Sequence, residues 1–157
     1  MVDAMAHRFP TDPTIDDYGP WNDDFAAAMR KVYTDFPDDL EVVAIFAEAL
    51  MNRSPWKLWD LKRRTPADGA STTEAQTALE RAFATDPEAW NHPGLLHMYI
   101  HLMEMSPTPE KALPHGDRLV DLVPDSGHLV HMATHIDVLC GDYQNVVRLP
   151  CRLFLEN

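Results

Sequence analysis

Apolar residues along much of this chain recur at spacings of three and four, the period of a helix with one buried face. Phe25, Ala28, Met29, Val32, Tyr33 and Phe36 follow that period and predict a helix from Trp21 to Phe36, with Asn22 or Asp23 as its cap and Pro37 as its stop. Asp38 to Asn52 predicts the next helix. It is apolar on nearly every side except at Glu41 and Glu48, so it should be buried on more than one face, leaving Glu48 a partly buried carboxylate. Ser71-Thr72-Thr73-Glu74 reads as a hydroxyl cap opening a helix that runs through Leu79, Ala82 and Phe83 to Asp86-Pro87. Further helices are expected from Pro93 to Met105, from Pro109 to Val123 with Pro114 near its first turn, and from Gly127 to Cys140 with Ser126 as cap. Another begins near Tyr143 and should stop at Pro150. No stretch alternates in the manner of a strand. The expectation is an all-α chain of about seven helices.

The intervening segments set the domain plan. Residues 1–20 hold Pro10, Pro13, Gly19 and Pro20 and predict an irregular leader. Residues 21–149 form the helical domain, with Lys62-Arg63-Arg64 in a solvated connecting loop. Residues 150–157 lack the polar character of a capping helix and read as an atypical tail, as in a truncated version of a longer protein that exposes apolar surface and self-associates.

Composition narrows the function. The 157 residues are 45% hydrophobic and 24% charged, which suits one globular domain. A net charge of −12 argues against a nucleic-acid partner, which needs a basic stripe. No apolar run reaches the length of a membrane span and no signal-peptide pattern opens the chain, so a cytoplasmic protein is expected. Cys140 and Cys151 make neither a disulfide framework nor a thiolate metal site.

Histidine is the unusual feature. All of the eight histidines but His7 fall between positions 92 and 135. His97/His101 and His131/His135 are each spaced by four, which places both imidazoles on one helix face. From 97 to 131, and from 101 to 135, is 34 residues, the repeat length of a helix–turn–helix solenoid. On the first of these helices Leu96, Tyr99, Ile100 and Met103 form the apolar stripe, and the two histidines lie roughly 100–140° from it. The alternative reading is of packing histidines without metal. His115 fits that reading, as do Tyr99 and Met103 in the core and the tryptophans Trp21, Trp56, Trp59 and Trp90 in packing.

Pro124, Gly141-x-Tyr143 and Ala112 fall where tetratricopeptide repeats carry their last-turn proline, their Gly-x-Tyr and their small residue, and the chain resembles that superfamily. Glu48-Ala49-Leu50-Met51-Asn52, Ser54-Pro55-Trp56, His92-Pro93-Gly94, His97-x-x-x-His101 and His128-Leu129-Val130-His131-Met132-x-x-His135 resemble a narrower histidine-rich group of bacterial and fungal proteins, mostly of undefined function. There the last motif usually reads His-Met-Pro-Ser-His, whereas this chain has Ala133 and Thr134 in the middle. The resemblance implies a right-handed solenoid whose first helix in each repeat lines a concave groove. It implies further that Glu48, His97, His101, His131 and His135 project into that groove, with His128 and Glu104 at its edges.

Imidazole and carboxylate ligands suit Zn, Cu or Fe. The expected site is therefore one transition-metal centre on His97, His101, His131, His135 and Glu48, with Glu48 as ligand or general base and His128 and Glu104 in support. His92, ahead of Pro93, is expected to lie outside it. The function expected is metal binding, with metal-dependent catalysis on a small molecule or peptide in the groove. The alternative is a non-catalytic module that binds a peptide or protein partner there.

Overall fold

The computed structural model describes residues 1–9, 14 and 17–148. The expected tail at 150–157, with Cys151, lies outside the described residues. The described chain is all-α apart from one small ribbon. Its helices are α1 (Val2–Met5), α2 (Gly19–Asp35), α3 (Leu40–Met51), α4 (Thr72–Thr85), α5 (Pro93–Met103), α6 (Leu113–Leu122) and α7 (Gly127–Cys140). Short 3-10 turns occupy Ala6–Arg8, Pro87–Asn91 and Pro109–Ala112, and residues 143–148 are again helical.

Three details depart from the sequence reading. Residues 2–8 are helical rather than irregular and lie against α2, with Ala4 buried. An element of one or two turns is too short to show a period, so the hydrophobic pattern could not announce it. Helix α2 starts at Gly19, ahead of both expected caps, because Pro20 fits the first helical turn, where its missing N–H costs nothing. In the segment between α3 and α4, β1 (Trp59–Asp60) pairs antiparallel with β2 (Thr65–Pro66). The turn between them is tied by Asp60, whose carboxylate accepts from the Lys62 and Arg63 backbone N–H groups at 2.9 and 3.0 Å.

Capping chemistry also shifts. Asp39 caps α3 by accepting from the Glu41 and Val42 N–H groups. Ser71 and Ser126 stand at N-cap positions without a capping side-chain bond. The Ser71 hydroxyl instead accepts from Arg53 at 2.6 Å.

Successive helices pack on one another, and α3, α5 and α7 also touch in series, α5 lying between the other two. The core is filled by Phe25, Met29, Phe46, Leu50, Leu79, Leu95, Leu96, Ile100, Leu102, Met103, Leu119 and Met132, all essentially inaccessible. Tyr99 and Met103 belong to it, as the apolar stripe on α5 requires. Trp59 holds the ribbon to the domain by donating its indole N–H to the Leu102 carbonyl at 2.7 Å. At the α6–α7 contact Gly116 meets Ala133 so closely that an added Cβ would lie 3.3 Å from the Ala133 Cβ and 3.4 Å from its Cα.

Candidate metal centre

Helix α5 carries His97, His101 and Glu104 at its end, at spacings of four and three. Helix α7 carries His128, His131 and His135, at spacings of three and four. Each trio therefore forms a polar stripe over successive turns of one helix face. The two stripes face each other across the α5–α7 contact, but not in the 34-residue register. His97 meets His128, ring centroids 5.1 Å apart and nearly perpendicular, and Glu104 meets His135, with Oε2 2.6 Å from Nδ1. Both pairs are separated by 31 residues. The two helices are thus displaced by three residues from the repeat alignment, about 4.5 Å along the axis.

That displacement decides which residues converge. His97, His101 and His128 each bring one ring nitrogen within 4.8 Å of the other two. His131 and His135 form a separate contact, Nε2 to Nε2, at 3.1 Å. Glu104 stands between the two groups. Its Oε1 lies 3.2 Å from His101 Nδ1 and its Oε2 binds His135. Glu48, on α3, is paired with the Arg8 guanidinium at 2.7 Å. Its carboxylate is also 3.4 Å from the Asn52 amide. Of the residues the sequence brought forward, the structure thus places His97 and His101 together with His128, sets His131 and His135 against each other beyond Glu104, and puts Glu48 in an ion pair beside them. His92 caps α5, its Nδ1 accepting from the Leu95 N–H at 3.2 Å. His115 is buried among Phe83, Trp90 and Tyr99.

The electrostatics suit a cation. Burial, with the His101 and His128 rings beside it, pushes the His97 pKa down from 6.5 to about 4 against the opposing pull of the Glu48 and Glu104 carboxylates. His97 is therefore a neutral imidazole at physiological pH, the form that can coordinate a metal. Its Nε2, like His92 Nε2 and His115 Nδ1, is buried without a hydrogen-bond partner, and at His97 a bound ion would satisfy it. Burial raises the pKa of the nearly inaccessible Glu104 carboxyl, but hydrogen bonding to His101 and His135 outweighs it and holds the group below the usual carboxylate range. The resulting carboxylate–imidazole contacts are the kind that fix ring tautomers around metals.

A cleft of about 260 Å³ opens beside His101 and Glu104. Met51, Pro55, Trp56, Leu58, Met98 and Met105 give it an apolar wall, and Glu48 and Asn52 its polar end. Trp56 is 71% exposed and sits at φ 62°, a left-handed backbone that a bulky residue adopts only when its surroundings compel it. Its indole stands edge-on to the His101 ring at 6.5 Å.

Comparison of the chain with family models, curated proteins and solved structures returns no match to any of them. Among the described residues no helix is long and apolar enough to cross a membrane.

Proposed function

We propose that this chain is a metal-binding helical-repeat protein of the tetratricopeptide type. His97, His101 and His128 hold a Zn, Cu or Fe ion at the floor of a groove lined by α3, α5 and α7. The serial contact of those three helices, each also packed on its sequence neighbours, supports the solenoid reading. The observation that carries the metal reading is the convergence of one ring nitrogen from each of three histidines, one of which, His97, also has a buried, unpartnered Nε2. Two nitrogens on one tetrahedral ion lie about 3.3 Å apart, so the trio closes onto the ion by small side-chain rotations. Three protein ligands leave a position for water or an organic ligand, the arrangement that catalytic sites retain.

The cleft beside His101 is where a small molecule or peptide side chain meets that position, and the Glu48 carboxylate at its polar end is placed to accept a proton. A non-catalytic module that captures a peptide side chain without metal is the second reading. The apolar wall and the exposed Trp56 favour it, since such surfaces mark binding sites whether or not chemistry follows. The setting proposed for either is the cytoplasm.

Metal analysis of protein purified without an affinity tag separates the two. Stoichiometric transition metal, lost in both His97→Ala and His128→Ala, supports the metal reading. Absence of bound metal, with no change in melting temperature on adding Zn(II), Cu(II) or Fe(II), leaves the peptide-binding module.

A further inference from the structure

We infer that His131 and His135 hold a second transition-metal ion, separate from the one at His97, His101 and His128, and that Glu104 joins the two positions. The inference takes its ligand chemistry from the metal reading above. The Nε2 atoms of His131 and His135 are 3.1 Å apart and their rings nearly perpendicular, at 85°. At imidazole–metal bonds of about 2.05 Å, that separation subtends about 100° at an ion, within the range of a tetrahedral or octahedral site. Bonding requires both Nε2 lone pairs to be free, so both rings must carry their proton on Nδ1.

The surroundings supply that arrangement. Glu104 Oε2, 2.6 Å from His135 Nδ1, accepts the proton there. Thr134 Oγ1 lies 3.5 Å from His131 Nδ1 and spends its own proton on the His131 carbonyl at 2.6 Å, which leaves an oxygen lone pair for the His131 N–H. In the metal-free chain His131 donates from Nε2 to His135 across the 3.1 Å contact, and on metal binding its proton moves to Nδ1, which faces Thr134 Oγ1. His131 is exposed and His135 half-exposed, so the ion is reached directly from solution, and water fills its remaining coordination positions. The other Glu104 oxygen faces His101 Nδ1 and leaves that ring's Nε2 free for the first ion. The two positions therefore share an outer carboxylate rather than a ligand atom.

The test is metal stoichiometry of the full chain with Zn(II), by equilibrium dialysis and elemental analysis, with helical circular dichroism as a control on folding. The wild type should hold two equivalents. His131→Ala and His135→Ala should each hold one, while His97→Ala and His128→Ala should each lose the other. Because His131 and His135 lie outside the core, His131→Gln and His135→Gln, which preserve bulk, serve as second variants and should also lose one equivalent. One equivalent in the wild type that survives His131→Ala and His135→Ala overturns the second position and leaves the first standing. One equivalent that is abolished by variants on either helix shows a single shared ion and also overturns it. No bound zinc in the wild type removes both readings.

Discussion

Glu104 is nearly inaccessible, yet it touches histidines from two helices. A carboxylate in that place orients imidazoles more than it adds to stability, because the gain from each contact is offset by the cost of desolvating the charge. Glu104→Gln keeps the shape but replaces one acceptor oxygen by a donor amide, which cannot accept from an Nδ1–H. Zinc affinity should fall about 10- to 100-fold while the circular dichroism spectrum is retained, as measured by competition with a chromophoric chelator. His115 offers a different test. Burial pushes its pKa from 6.5 down to about 4. Above 6.5 both folded and unfolded chains carry a neutral ring. Between 6.5 and about 4 only the unfolded chain takes up the proton, so folding weakens as pH falls through that window. The contribution is up to about 3 kcal/mol. His115→Phe, which fits the surrounding aromatic rings, should remove it. Urea unfolding at pH 7 and pH 4.5 should show the acid loss smaller in the variant than in the wild type by about that amount.

Among the elements, the contact between α6 and α7 is the one with least slack. Gly116 already lies as close to Ala133 as a Cβ would tolerate, and the opposing atoms include backbone. Gly116→Leu should therefore destabilise the fold by about 1–3 kcal/mol and push α7 away from α5. Thermal unfolding reads the first effect, and loss of metal affinity at His128 the second. Fold class and most helices were legible because long amphipathic segments with caps and prolines leave a period of 3.6 in the sequence, as at α3, α5 and α7. The segment at residues 2–8 and the ribbon at Trp59 and Thr65 were not, since neither is long enough to carry a period. At the candidate site the spacing of four placed His97 with His101 and His131 with His135, but it did not give which of them meet across the helices. The 34-residue offset aligns repeats by homologous position, whereas contact depends on how far one helix slides along the next, which side-chain packing between the helices sets. The same spacing puts His128 and Glu104, expected at the groove's edges, on the two stripes themselves. Positions 97, 101 and 104, and positions 128, 131 and 135, each extend over two turns of one face.

For the molecule as a whole, a ligand that binds only the folded chain stabilises it by mass action. At zinc concentrations about 100 times the dissociation constant the gain is about 2.7 kcal/mol, which for a domain of this size raises the melting temperature by roughly 5–10 °C. The rise should vanish with a chelator and be absent in a variant lacking His97 and His135 together, as differential scanning fluorimetry would show. On the proposed metal reading, ligands drawn from α5 and α7 would also make the ion a cross-link between neighbouring helices. The stabilisation should therefore appear as protection from hydrogen exchange at both helices together.

The Arg8–Glu48 ion pair carries one more consequence. Glu48 is the oxygen donor nearest the cleft's polar end, and its partner is a guanidinium attached to the same chain. Any cationic ligand seeking that carboxylate competes with a tethered rival, whose effective concentration is on the order of millimolar. Removing that rival in Arg8→Ala should tighten the binding of a cationic ligand in the cleft, as titration of the variant against the wild type would show.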